Sequence, residues 1–278
     1  MKIRHLKNTF YSISLALVIL STGLQANEEF RFNDGHIHYN KDVWSRLPPE
    51  RALNYLSESG IDRFILFSTP TEGTEKLYEL APDRVIPFIM PYKNHLSRYL
   101  FHSDPKIVDY LREKIESGNY RGIGEFHLFR KHKDTEVVKQ IMQLAADYNL
   151  AINAHSDFDT IKTLIALQPD LQIIWAHCGM NHPLRDIEQA FEEFPNLYCD
   201  LSFRYKMFDE DEQWRLRPEW KAVLEKHADR FVLGMDTYIP RRWAALPEHA
   251  EFADDWLKQL SEEAQNKIAR ENINNWFP

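Results

Sequence analysis

Two histidines, His36 and His38, stand one residue apart in the segment FNDGHIHYN, residues 32–40. The segment reads as a strand that runs into a loop, and residues at i and i+2 of a strand point to the same face. Both imidazoles would therefore point the same way, which suits two ligands of one metal ion. A His-x-His pair is a weak signal by itself, so a metal site is predicted only if the rest of the chain supplies further ligands.

Further metal-competent side chains stand at the ends of later strand-like segments. They are Glu125 in RGIGEF (121–126), His155 in LAINAHS (150–156), His177 in LQIIWAHCG (171–179) and Asp236 in RFVLGMDTY (230–238). Any one of them alone would more often be structural, but burying all six without partners would cost several kcal/mol. A divalent cation satisfies them together. Imidazole and carboxylate ligands favour Zn, with Mn or Fe as alternatives.

The elements that carry these residues alternate between short apolar segments and longer amphipathic ones. The apolar segments span residues 32–39, 62–69, 84–92, 121–126, 150–156, 171–179, 196–202 and 230–238. Helical spacing of apolar residues and helix stop signals mark residues 49–60, 104–118, 134–149, 182–195 and 218–229. Near-continuous apolar strands that alternate with helices predict a parallel sheet covered on its faces.

Eight such units in about 250 residues predict an α/β fold of the (β/α)8 TIM-barrel type. In that fold the chemistry collects where the strands end, which is where the six candidate ligands stand. A doubly wound open sheet is the competing fold. It would place a glycine-rich phosphate turn after the first strand, and NDGHIHYN is not such a turn.

The first 26 residues have the pattern of a secretory signal peptide. A basic start is followed by an apolar run at residues 10–20, which is short for a membrane span, and by small residues up to Ala26. An uncleaved anchor is the alternative. We expect residues 27–278 to form one barrel domain that is periplasmic or secreted and has no membrane attachment after cleavage.

Charge and cysteine content limit the partners and the folding chemistry. The chain has a formal net charge of −8, which argues against nucleic acid and leaves a small molecule as the expected substrate. A homo-oligomer stays open. Cys178 and Cys199 are the only cysteines, so the fold does not rest on a disulfide framework. Both lie in apolar segments, and we expect buried free thiols. Export to an oxidising compartment keeps a bridge between them open.

The ordered ligand set resembles that of the amidohydrolase superfamily. The local sequences DGHIHY, WAHCGM and VLGMDTY are similar to its large amidohydrolase-related branch, and NKIARENINNWF (266–277) is similar to that branch's terminal helix. The resemblance covers residues 30–278. It implies a distorted (β/α)8 barrel and a metal-dependent hydrolase, although some members are decarboxylases or hydratases. It places His36, His38, His155, His177 and Asp236 at metal-site positions.

Glu125 departs from the usual residue of the family. Many members have a lysine at this position of strand four, and many two-metal members have a carboxylated lysine. A glutamate here resembles the deoxyribonuclease branch, in which it bridges two metals. One or two ions therefore fit the sequence, and we favour two. The alternative is a glutamate that only orients a histidine. We expect His127, two residues further on, to support the site or the fold rather than to bind metal.

The expected reaction is attack of a metal-activated water on an ester, lactone or amide carbonyl. Asp236 would accept the proton and deliver it to the leaving group, and His177 would bind metal or polarise the carbonyl. Arg204 and Arg242 follow strands seven and eight and are candidates to bind a carboxylated substrate. Two alternatives remain. One is a metal-dependent lyase, such as a decarboxylase, on the same scaffold. The other is a non-catalytic periplasmic protein that binds metal or a ligand.

Overall fold

The computed structural model of the protein describes residues 31–94, 96–209 and 214–278. The predicted signal peptide, residues 1–26, lies outside the described residues, as do the first residues of the predicted domain at 27–278. Within the described ranges, no helix combines the length and the apolar character needed to cross a bilayer.

Eight parallel strands follow one another around the sheet in chain order. They are β1 (Phe32–His38), β2 (Ile61–Phe67), β3 (Val85–Ile89), β4 (Gly122–Leu128), β5 (Ala151–Ser156), β6 (Ile173–Trp175), β7 (Leu197–Asp200) and β8 (Phe231–Val232). The chain beyond β8 returns to β1. There the amide of Gly35 donates to the carbonyl of Leu233 and the amide of Asp236 donates to the carbonyl of His36, each at 2.7 Å. These bonds leave the barrel nearly closed.

The (β/α)8 prediction is therefore confirmed, and all eight predicted strands are present. Two features distort the barrel. β6, β7 and β8 are only three, four and two residues long, and the register shifts within β1 and within β4. Early strand endings leave the chain after β6 and β8 free to turn inward, which matters for the site described below.

Helices cover the outside of the sheet. They are α1 (Pro49–Glu58), α2 (Glu72–Leu80), α3 (Lys106–Ser117), α4 (Glu136–Asp147), α5 (Phe158–Leu167), α6 (Leu184–Glu193), α7 (Pro218–Lys226), α8 (Pro240–Ala244), α9 (Leu246–Leu257), α10 (Glu262–Asn266) and α11 (Asn272–Trp276). A π-helical turn, Lys267–Glu271, joins the last two. The five predicted helices correspond to α1, α3, α4, α6 and α7. The sequence interpretation did not single out α2 or α5.

Capping and amphipathic spacing explain where these helices form. The side chain of Thr135 accepts from the amide of Val138 at the start of α4, and the side chain of Asp157 accepts from the amide of Thr160 at the start of α5. α4 then buries Ile141 and other apolar residues at helical spacing against the sheet. The strands they cover are buried as well, and all seven residues of β1 are buried.

The expectation of free thiols was wrong, because Cys178 and Cys199 form a disulfide. β6 and β7 are paired with Trp175 opposite Cys199, and the chain turns sharply just after Trp175. His177 and Cys178 both have positive φ in this turn, which folds Cys178 back towards β7 and leaves the two Cα atoms 4.8 Å apart. Sequence periodicity does not reveal a turn of this kind, so the pairing was not foreseen.

Candidate metal centre

All six predicted ligands meet at the carboxyl-terminal end of the barrel. β1 supplies His36 and His38, β4 supplies Glu125, β5 supplies His155, and the turns after β6 and β8 supply His177 and Asp236. All of these side chains except His155 are buried. The His-x-His spacing acts as the sequence indicated, since the Nε2 atoms of His36 and His38 lie only 3.1 Å apart.

A carboxylate faces this pair of histidines from each side. Oε2 of Glu125 lies 3.4 Å from Nε2 of His36 and 3.1 Å from Nε2 of His38. Oδ1 of Asp236 lies 3.8 Å and 3.6 Å from the same two nitrogens, and this buried oxygen has no hydrogen-bond partner. Carboxylate oxygens and imidazole nitrogens that meet in a buried place are energetically unfavourable when too few hydrogen atoms are available to form hydrogen bonds between them. The donor set therefore fits a divalent cation at this point.

The second oxygen of Glu125 faces a different pair of histidines. Oε1 lies 3.0 Å from Nδ1 of His155 and 3.3 Å from Nε2 of His177. Although burial alone would raise the pKa of Glu125, the imidazoles of His36, His155 and His177 outweigh it and hold that pKa well below its usual value. One ionised carboxylate thus stands between two histidine pairs, which is the arrangement that a bridging ligand requires.

Asp200, the last residue of β7, lies behind the cluster. Its Oδ2 is 3.1 Å from Nδ1 of His36 and accepts from the amide of His177 at 3.0 Å. A buried carboxylate at this place holds a proton on Nδ1 and leaves the lone pair of Nε2 directed into the cluster. Burial alone would lower the pKa of His36, but the carboxylates of Asp200, Asp236 and Glu125 raise it well above its usual value.

Ser202 fixes the ring of His177 in the same way. Its hydroxyl donates to Oδ1 of Asp200, so its oxygen is left to accept from Nδ1 of His177 at 2.7 Å. Nε2 of His177 then faces Glu125 and is the ring nitrogen directed into the cluster. Sequence reasoning missed Asp200 and Ser202. The available signal was their position, because both stand at the carboxyl end of a strand in the motif CDLS.

The backbone around these residues is unusual for side chains of this size. His177 and Asp236 have φ of 56° and 47°, in the left-handed region that most non-glycine residues avoid. Such conformations cost about 1–3 kcal/mol each and persist where surrounding contacts hold them, often at functional sites. Gly234 supplies the space for this packing. A Cβ there would lie 2.9 Å from Oδ1 of Asp200 and 3.1 Å from Cβ of His36.

A cavity of about 240 Å³ opens in front of the cluster. Five of the six predicted ligands form its floor, namely His38, Glu125, His155, His177 and Asp236. The sixth, His36, does not line the cavity. The wall of the cavity consists of Asn40, Thr69, Met90, Tyr92, Arg98, His127, Met180, Phe203 and Tyr238. The Tyr92 hydroxyl donates to the backbone carbonyl of Glu125 at 2.9 Å, which anchors the wall to the centre. His127 stacks on His155 with ring centroids 4.2 Å apart, and its Nε2 lies 4.0 Å from Glu125.

Arg204 and Arg242 do not line this cavity, so the placement does not support their predicted role in substrate binding. The guanidinium of Arg204 donates to the carbonyls of Met180 and His182 and lies over the ring of Trp220, 4.7 Å from its centroid. Arg242 donates to the carbonyls of Met235 and Asp236. Both side chains satisfy backbone groups in the turns that carry His177 and Asp236.

Solved structures with the same fold were found at low sequence identity. A putative 2-pyrone-4,6-dicarboxylic acid hydrolase from Pseudomonas putida has a TM-score of 0.56 and 16% identity, over 90% of this chain and 98% of that chain. The phosphotriesterase homology protein from Escherichia coli has a TM-score of 0.58 and 13% identity, over 90% and 99%. A TatD homologue from Escherichia coli K12 has a TM-score of 0.58 and 14% identity, over 88% and 96%. No curated protein matches the chain significantly.

The sequence itself decides the family. The model of the amidohydrolase family matches residues 34–278, which includes every strand from within β1 onward and all six residues of the cluster. The residues that carried the resemblance in the sequence are the ones that converge in the fold. The chain therefore belongs to the amidohydrolase family and is an enzyme of the metal-dependent hydrolase type.

Proposed function

We propose that this enzyme hydrolyses an ester, lactone or amide bond of a small molecule, using the six-residue cluster as its metal centre. One observation carries the proposal. Oδ1 of Asp236 is buried without a hydrogen-bond partner and faces the Nε2 atoms of His36 and His38 at 3.8 and 3.6 Å. A stable protein keeps such an arrangement when a cation completes it.

Two overlapping sets of ligands follow from the distances. His36, His38 and Asp236, with Oε2 of Glu125, would hold one ion, and His155 and His177, with Oε1 of Glu125, would hold a second. We propose two ions, and Zn before Mn or Fe, because four imidazoles dominate the donor set. When bound, such a cation lowers the pKa of a coordinated water towards neutrality and polarises a carbonyl oxygen.

The protein's own groups then handle the proton and the substrate. Asp236 lies both in the cluster and on the cavity floor, so its carboxylate is placed to accept a proton from the attacking water and to pass it to the leaving group. His177, oriented by Ser202, is placed to bind metal or to contact the carbonyl oxygen. Met90 and Phe203 contribute apolar surface to the wall around the reacting groups.

The named activities of two structural neighbours support hydrolysis over the other candidate reactions. The Pseudomonas putida protein is named for hydrolysis of a pyrone, which is a cyclic ester, and the Escherichia coli protein is named as a phosphotriesterase homologue. At 16% and 13% identity they share the fold with this chain. We therefore propose to test lactones first.

The experiment begins with metal analysis of the full chain purified without added ions. A panel of lactones, esters and amides is then assayed with the wild type and with Asp236→Asn. Acid release by the wild type that is lost in Asp236→Asn supports the proposal. Stoichiometric release of CO2 would instead indicate a lyase. Bound metal with no turnover of any substrate would indicate a binding protein and overturn the proposal.

We also propose that the protein is exported after cleavage near Ala26. The disulfide between Cys178 and Cys199 supports this location, since disulfides persist in oxidising compartments such as the periplasm. N-terminal sequencing of the mature protein from a periplasmic extract should begin at or near Asn27. A mature protein that retains residues 1–26 in the membrane fraction would contradict export with cleavage.

A further inference from the structure

Arg98 differs from every other residue that lines the cavity. Among the described lining residues it is the one lysine or arginine, and the carboxylates there, Glu125 and Asp236, belong to the metal centre. It lies on the segment at residues 93–104, which connects β3 to α3 and includes the short helical turn Ser97–Tyr99. We call residues 93–104, all of which except residue 95 the structure describes, the mouth loop.

Hydrogen bonds within the mouth loop fix the position of Arg98. Oδ1 of Asn94 accepts from the amide of Ser97 at 2.9 Å, immediately before Arg98. After it, a ring nitrogen of His102 lies 3.1 Å from the carbonyl oxygen of Tyr99. The hydroxyl of Thr135, in the loop after β4, donates to the carbonyl of His102 at 2.8 Å and ties the mouth loop to the barrel. Hydrogen bonds therefore hold the chain on both sides of Arg98.

The guanidinium of Arg98 keeps donors free. One terminal nitrogen donates to the hydroxyl of Tyr99, whose ring lies beneath the guanidinium at 4.7 Å. Nε is buried without a hydrogen-bond partner, and no carboxylate of the described residues forms an ion pair with this side chain. Arg204 and Arg242, in contrast, each direct two guanidinium nitrogens to backbone carbonyls, although Nε of Arg204 is also buried without a partner. An arginine with unused donors beside a cavity suits an anionic ligand.

Apart from Arg98, the wall residues that the structure describes include no lysine or arginine. Met90, Met180 and Phe203 are apolar. His127 stacks on His155 and its Nε2 lies 4.0 Å from Glu125, so this side chain faces the cluster. A single planar guanidinium matches a single carboxylate, whereas a phosphate dianion would call for further cations.

We infer that Arg98 binds a carboxylate of the substrate and selects carboxylate-bearing esters, lactones or amides whose scissile carbonyl lies at the metal centre. This inference rests on the proposed hydrolase function. Arg98 thus replaces Arg204 and Arg242 as the candidate residue for binding the carboxylate. The sequence analysis did not identify Arg98.

The test compares two substrates that differ at one end only. Mono-4-nitrophenyl glutarate and 4-nitrophenyl valerate share a leaving group and a five-carbon acyl chain, and only the first ends in a carboxylate. They are assayed with the metal-loaded wild type, Arg98→Gln, Arg98→Lys and the control Arg121→Gln. Arg121 is exposed and precedes β4, at the opposite end of the barrel. Binding of glutarate is measured separately by calorimetry.

We expect Arg98→Gln to lower kcat/KM for the glutarate ester by about 10- to 100-fold and to leave the valerate ester unchanged, because a hydrogen-bonded charge is lost for one substrate only. Arg98→Lys should fall in between and Arg121→Gln should match the wild type. Equal losses for both esters, or no loss for either, would overturn the inference and leave the hydrolase proposal intact.

Measurement of glutarate binding tests the inference if the wild type cleaves neither ester. If the wild type cleaves neither ester, the hydrolase proposal loses support, and the role of Arg98 is then decided by calorimetry alone. Weaker glutarate binding in Arg98→Gln than in Arg121→Gln supports a carboxylate site. Equal binding in these two variants overturns it.

Discussion

Nδ1 of His36 lies 3.1 Å from Oδ2 of Asp200, and the same oxygen accepts the backbone amide of His177. One fully buried carboxylate thus orients two histidines that belong to different ligand sets, one on β1 and one after β6. The disulfide joins the residue after His177 to the residue before Asp200, so this arrangement is also held covalently.

Asp200→Asn should weaken metal binding by about 10- to 100-fold, because the amide no longer fixes the proton on Nδ1 of His36. Competition with a chelator measures the affinity, and thermal unfolding of the metal-free protein reports any loss of packing. Asp170→Asn, an exposed substitution, is the matched control. Wild-type affinity in Asp200→Asn would show that the ligand orientation does not depend on this contact.

Asp236→Asn should retain the fold and bound metal but lose at least about 100-fold in kcat, because the amide cannot accept the proton of the attacking water. Circular dichroism and metal content check that the centre survives. Near-normal turnover with a full metal complement would remove Asp236 from the proposed proton path.

Glu125→Ala should reduce the number of bound ions from two to one or none, because Oε1 and Oε2 face separate histidine pairs. Native mass spectrometry of the zinc-loaded wild type and variant counts the ions directly. A single ion in the wild type would mean that Glu125 completes one site only, and the bridging role would then be abandoned.

Metal binding should release protons and strengthen as the pH rises. Burial alone would lower the pKa values of His36 and His177, but the surrounding carboxylates outweigh it and raise both above the usual histidine value in the metal-free protein. A proton and a metal compete for the ring nitrogens of these imidazoles, so affinity falls as the pH is lowered. Calorimetric titration of Zn in two buffers of different ionisation enthalpy gives the number of protons released. Buffer-independent heats would contradict this coupling.

Replacing both cysteines by alanine should lower the free energy of unfolding by about 3 kcal/mol, the loop-entropy value for a closed loop of this length. The cysteines are separated by 21 positions in the sequence. Urea unfolding with and without a reductant measures the effect. The reductant supplies the control, because it should bring the wild type close to the double variant and leave the variant unchanged.

The fold was predictable because its signals are periodic. Each of the eight strands is a short apolar run, and the main helices carry apolar residues at helical spacing, so a (β/α)8 barrel follows from counting units. The convergence of the six candidate ligands was predictable for a related reason. Strand ends meet at one rim, and His36, His38, Glu125, His155, His177 and Asp236 all stand at strand ends.

The parts that were missed depend on contacts between segments distant in sequence. The disulfide arises from a left-handed turn at His177 and Cys178, which has no simple sequence signature. Arg204 and Arg242 lie at the predicted rim, but their donors are taken by backbone carbonyls of neighbouring turns. Arg98 lies in an irregular loop, where the sequence has no helical or strand periodicity from which the facing of a side chain could be predicted. Asp200 gave a positional signal that could have been used.

The mouth loop carries internal hydrogen bonds and is tied to the barrel through Thr135, whereas the candidate metal ligands lie on the strands and the turns that follow them. With Arg98 in the proposed role, affinity for the cation and choice of substrate would be encoded in separate stretches of the chain. Replacing residues 93–104 with other loops of similar length offers a way to redirect the enzyme to uncharged or differently charged compounds without rebuilding its reactive centre.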